Sequence, residues 1–114
     1  MTFFASAPIA VLSKFGVTAN ETFVIPAGWG ISRLIIANTT ANAVTGGIRI
    51  GTTDGGADVV VAQPVGAGAI VFVEDATVLK KYFSDTVDQT LYAQAVVAWN
   101  SASLRFFFVI IRMV

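Results

Sequence analysis

Residues Thr90 to Val114 read TLYAQAVVAWNSASLRFFFVIIRMV, and this stretch decides the fold class. Two runs rich in β-branched and aromatic residues flank the polar turn NSAS at Asn100–Ser103, the pattern of a long antiparallel pair. Side chains alternate along a strand. On Leu91–Trp99, one face carries Leu91, Ala93, Ala95, Val97 and Trp99, and the other carries Tyr92, Gln94, Val96 and Ala98. On Leu104–Val114, one face carries Leu104, Phe106, Phe108 and Ile110, and the other carries Arg105, Phe107, Val109, Ile111 and Met113. A half-solvated sheet alternates apolar with polar, so a strand apolar on both faces lies at the middle of something. One face fills a core. A helix, the N-terminal arm or a neighbouring subunit must cover the other, which makes Phe107, Val109, Ile111 and Met113 the candidate interface residues.

The same rhythm runs back through the chain. Ile9–Phe15 reads as a strand or an extended arm, and Glu21–Ile25 as a strand stopped by PAGWG at Pro26–Gly30. Ile31–Asn38 follows, then the turn TTAN at Thr39–Asn42. Val44–Gly51 is the next strand, with Gly46 and Gly47 marking a bulge or a close backbone approach. TTDGGAD at Thr52–Asp58 contains the hairpin dipeptide Asp-Gly. Asp58–Gln63 and Ala69–Val73 flank PVGAG. That makes about eight strands, an all-β single domain built as a sandwich or jelly roll. Strand count alone does not separate these from a partly closed barrel. Residues 1–20 read as an N-terminal arm or edge strand and residues 21–114 as the β-sandwich domain.

One segment breaks the rhythm: EDATVLKKYFSD, Glu74–Asp85. Asp75 suits an N-cap, the acidic start and Lys80-Lys81 complement a helix dipole, and Val78, Leu79, Tyr82 and Phe83 share one face at helical spacing. The pattern predicts a short helix over 75–83 closing one end of the sandwich. An irregular loop with a single helical turn is the alternative.

Composition points to assembly. Seven basic and seven acidic residues make up 12% of the chain, where about 25% is usual, and 55% is hydrophobic. A small domain with so few charges is expected to hide part of its surface in an oligomer or larger assembly. MTFFASAPIAVLSKF lacks the positive n-region of a secretory signal. The longest strongly apolar run, Phe106–Ile111, is far short of the ~20 residues of a spanning helix. No membrane partner is expected.

The chain has no histidine and no cysteine, so the commonest general base, thiol chemistry and disulfides are all absent. Ser13, Ser84, Ser101 and Ser103 sit in no nucleophile elbow, and no His exists to activate them. Asp54 and Asp58 could serve a calcium loop, but their spacing matches no EF-hand and a hairpin turn explains them. Glu74 with Asp75, or Asp85 with Asp88, could form an acid and base pair, yet neither has a flanking cluster of aromatics and polar binders. Gly46-Gly47 and the GAG of Gly66–Gly68 make no phosphate loop. Zero net charge and a lone Lys80-Lys81 doublet argue against nucleic acid. Trp29, in its Pro/Gly turn, is the one aromatic placed to be an exposed sugar platform, whereas Trp99 ends a core face. The expectation is a non-enzyme with no cofactor and no metal.

The order of segments resembles small virion proteins of tailed bacteriophages, the capsid decoration or cement proteins and related head-fibre domains. The resemblance is carried by IPAGWGISRLIIANTTANAVTGGIRIGTTDGGADVV at Ile25–Val60, VEDATVLKKYFS at Val73–Ser84 and QTLYAQAVVAWNSASLRFFFVI at Gln89–Ile110. It implies a jelly-roll-like sandwich that forms homotrimers on the capsid surface and binds between major capsid subunits to stabilise the phage head. It implies no active site. Related fibre proteins give the alternative, a receptor- or glycan-binding module with Trp29 and the Thr52–Asp58 turn at its exposed end. A trimer would hide the second face of Leu104–Val114 around its axis, so the opening stretch reads as a seam.

Overall fold

A computed structural model describes residues 8–114 of the chain. Eight strands form: β1 (Ile9–Val17), β2 (Glu21–Ile25), β3 (Trp29–Asn38), β4 (Ile48–Gly51), β5 (Val60–Gln63), β6 (Ile70–Val73), β7 (Gln89–Ala95) and β8 (Leu104–Arg112). They make two four-stranded antiparallel sheets, in the orders β1-β8-β3-β6 and β2-β7-β4-β5.

This order is that of a jelly roll. β1 pairs with β8, β2 with β7, β3 with β6 and β4 with β5, as if one long hairpin had its arms wound together. Successive pairs fall on alternate sheets, and the β3–β8 and β4–β7 ladders close each sheet. The hydrophobic pattern dictates the winding. β8 alternates buried and less buried positions along its length, with Phe106, Phe108 and Ile110 inward against Phe23, Leu91 and Ile50 of the second sheet. Phe23 sits between two core rings, 5.3 Å from Phe106 and 4.8 Å from Phe108, tilted in both cases.

The segment expected to be a helix over 75–83 is not one. Asp75 accepts hydrogen bonds from the Thr77 amide and hydroxyl, and its carbonyl takes the amides of Val78 and Leu79, making one turn. The chain then extends: Leu79 bridges to Val60, the Lys80 amide donates to the Val59 carbonyl, and the Lys81 carbonyl accepts from Ile31. Burying Leu79 beside Val60 in the core outweighs a second helical turn.

Two strands are shorter than their sequence pattern. The Val44–Gly51 run is regular only from Ile48, because Gly46 and Gly47 take positive φ of 81° and 84°. The Leu91–Trp99 run ends at Ala95. Beyond it the Val96 and Val97 amides donate to the Gly47 and Thr45 carbonyls across that irregular backbone, alternation breaks, and Val97 lies exposed rather than on the core face. Gly47 is obligatory here. A Cβ on it would stand 2.5 Å from the Gln63 carbonyl oxygen, besides the unfavourable φ. Gly47→Ala is expected to cost about 3 kcal/mol, read from the urea midpoint. Gly55→Ala, at a φ of 82° with open space around it, should cost only about a third as much.

β1 is the edge of the first sheet, paired along one side to β8; the expected arm's residues 1–7 lie outside the described residues. Its Lys14 closes the gap between the sheets. The ammonium donates to the Thr22 carbonyl at 2.6 Å, lies 3.2 Å from Glu21 and sits over the Phe23 ring. A lysine used in this way also blunts an edge strand against unwanted pairing.

Candidate functional site

The outer face of the first sheet is built from every other residue of its four strands. Ile9, Val11 and Phe15 come from β1, Phe107, Val109 and Ile111 from β8, Ile35 and Ala37 from β3, and Ile70 and Phe72 from β6. The register lines them up in rows: Val11 faces Val109, and Phe107 faces Ile35, which in turn faces Phe72. Ile9, Val11, Phe15, Ile70 and Phe72 are 55%, 55%, 61%, 63% and 58% exposed, so the apolar surface extends to both margins of the sheet. Two arginines interrupt it, Arg105 of β8 opposite Ala37 and Arg33 of β3 opposite Val109. Arg105 lies over the Phe15 ring, which itself packs 5.4 Å from Phe107, and Arg33 pairs with Glu74 at 3.7 Å.

The second sheet presents the opposite character. Thr22, Thr90, Tyr92, Gln94 and Arg49 take the outward positions of β2, β7 and β4. Val24 and Val61 are the exposed large apolar residues on this sheet, which is thus the more polar of the two faces.

Of the residues expected at an interface, Phe107, Val109 and Ile111 lie together, half-buried, along the centre of this face. Met113 lies beyond the strand, half exposed, with its side chain over Gly30. Ile9, Val11, Ile35, Ile70 and Phe72 complete the surface and were not singled out from the sequence. Their signal was present: IAVLSKF and IVFV are apolar at consecutive positions, as β8 is.

The other residues singled out from the sequence form turns and packing contacts among the described residues. Asp58 accepts from the Thr52 hydroxyl and amide at 2.7 and 2.8 Å, while Asp54 turns away to Gln94. Asp88 accepts from the Ala27 amide and Ser84 from the amides of Thr86 and Val87, as turn-forming residues do. Among the described residues no group of three or more carboxylates stands ready for a metal. Trp29 is covered: the Arg112 guanidinium lies 5.3 Å from its ring. Trp99 packs against the core and donates its indole N–H to Asn20 at 2.8 Å.

No protein-family model, curated protein or solved structure matches the chain.

Charge is also segregated along the sandwich. The connections 18–20, 39–47, 64–69 and 96–103 meet at one end, tied by bonds such as Thr39 N–H to Ser103 O and Gly68 N–H to Thr40 O. They contain no charged residue. Asn38, buried beneath them, donates to the carbonyls of Asn42 and Gly66 and accepts from Thr40, so the end is rigidly built. The connections at the opposite end carry Asp58, Glu74, Asp75, Lys80, Lys81, Asp85 and Asp88, while Asp54 of the β4–β5 connection reaches back over the second sheet to Gln94.

Two carboxylates, Asp58 and Glu21, shape the acid limb of stability. The Thr52 hydroxyl, then its amide, hold Asp58 below the ordinary carboxylate value. The Thr22 amide, then Lys14, do the same for Glu21. Groups lowered in this way stabilise the fold above their unfolded pKa, and that contribution is lost as pH falls through the folded value. Asp58→Asn is expected to flatten the decline of Tm between about pH 5 and about pH 2 slightly, because exposed carboxylates act weakly. A thermal melt series at constant ionic strength checks it; an unchanged acid limb would remove Asp58 from that role.

Proposed function

We propose that the protein is a structural virion protein, a capsid decoration or cement protein that binds between major capsid subunits and stabilises the phage head. It works as a homo-oligomer, a trimer on the resemblance described above, with the outer face of the first sheet as the seam. The observation that carries this reading is that face: four strands wide and predominantly apolar, with exposed large hydrophobics on both edge strands and, among the described residues, only Arg33 and Arg105 as charges. A face of this kind is stabilised by removal from water at roughly 25 cal/mol per Å², and closed symmetry is the usual way to remove it.

The uncharged end supports the same reading. Four hydrogen-bonded loops without an ion can be laid against a protein shell with no charge to desolvate, while the acidic end stays in water. The rival reading, a receptor- or glycan-binding module of a tail or head fibre, is weakened at Trp29, whose ring lies under Arg112. Light scattering across a concentration series is the first test, with a concentration-independent trimer expected. Binding of the trimer to bare expanded heads, with no retention on host cells, would then separate decoration from receptor binding. A monomer that binds neither would sink the proposal.

A further inference from the structure

The outer face of the second sheet holds a shallow depression lined by Asn20, Glu21, Thr22, Asp54, Tyr92 and Gln94. Four of its six lining side chains, Gln94, Asp54, Asn20 and Glu21, are tied in place by other residues. Gln94 is only 8% exposed although it occupies an outward position of β7, because the β4–β5 connection folds down over it. Its amide oxygen accepts from the Gly55 N–H at 2.8 Å, and its amide nitrogen donates to Asp54 at 2.6 Å. That pair clamps the loop and aims the Asp54 carboxylate. Across the depression, Asn20 is held through its oxygen by the Trp99 indole, and Glu21 through one oxygen by the Thr22 amide and Lys14.

What these contacts leave over defines the ligand. The second oxygens of Asp54 and Glu21, the Asn20 amide N–H groups and the hydroxyls of Thr22 and Tyr92 make no protein hydrogen bond among the described residues. Two acceptors, one two-proton donor and two hydroxyls that do both match a molecule whose own groups donate and accept at once. The half-buried Tyr92 ring offers an apolar flank beside them. Two carboxylates repel an anion, and Lys14 at 3.2 Å already offsets Glu21, which weakens the pull on a cation. The geometry points to a binding site for a neutral saccharide, gripped through vicinal hydroxyls by Asp54, Asn20 and Tyr92.

The site lies on the opposite sheet from the proposed seam, so its fate is independent of the oligomer experiment. The test is a titration of the ¹⁵N-labelled protein with methyl glycosides of glucose, galactose, mannose and N-acetylglucosamine, and with n-butylamine as a cationic probe. At least one glycoside should give saturable shifts confined to residues 20–22, 54–55 and 92–94. Tyr92→Phe, which removes only a hydroxyl, and Asp54→Asn, which keeps an acceptor for Gln94, should each weaken binding about tenfold with the spectrum otherwise preserved. Shifts with butylamine alone, no localised shift with any glycoside, or affinities unmoved in both variants would overturn the assignment.

Discussion

Phe107→Asp is expected to reduce the oligomer to its 12.0 kDa monomer while the fold survives. Phe107 points away from the core on the central strand of the first sheet, between Ser13 of β1 and Ile35 of β3, and its ring meets Phe15. In a monomer the new carboxylate would sit in water at little cost. Inside a seam it would be stripped of water, with Arg105, two residues along the same face, as the nearby cation to offset it in part. Central interface positions of this kind cost about 3–5 kcal/mol when disrupted, which is about a hundredfold to several thousandfold in association. Thr90→Asp, on the polar outer face of the second sheet, is the matched control and should leave the mass unchanged. Light scattering with a melt on each variant gives the answer. A Phe107→Asp protein that keeps the parent's mass would place the seam elsewhere, and a parent that is already a monomer would leave the face to the capsid partner alone.

The sequence carries this face and this fold unequally. The two-sided apolar pattern of Phe106–Ile111 was enough to set β8 at the centre of a sheet and to separate Phe106 and Phe108 from Phe107 and Val109, because a period of two leaves no freedom once the register is fixed. Glu21–Ile25 could be bounded in full, since Pro26 ends it and β-branched residues fill it. Tertiary demands hid the rest. Leu79 has helical neighbours, yet it is buried beside Val60 in the core on an extended strap. Val97 alternates correctly in sequence and lies exposed, because Gly46 and Gly47 bend the backbone it pairs with. The width of the apolar face could not be read either: Ile9, Ile35 and Phe72 become neighbours only through the β1-β8-β3-β6 order, which joins residues far apart in the chain. The polar depression was less legible still, since Asp54 meets Gln94 forty residues away through a loop that folds over a sheet.

Phe108→Ala tests the other face of the same strand. The Phe108 side chain is fully buried, pairs across the ladder with Leu34 and Leu12, and packs 4.8 Å from the Phe23 ring between the sheets. Truncation removes the transfer free energy of the ring and leaves a cavity that two hydrogen-bonded sheets cannot collapse to fill, so about 3–5 kcal/mol should be lost. Against a total of about 5–15 kcal/mol for a domain, that is a large share of the stability. The urea midpoint should fall with its slope unchanged, because the surface exposed on unfolding is nearly the same. Phe107→Ala, one residue away, should cost less than half as much in a protein diluted below its association range, since its ring is only half-buried there. Equal losses at the two positions would mean that Phe107 is as deeply packed as Phe108 within one chain. The outer face would then be a second core rather than a surface awaiting a partner.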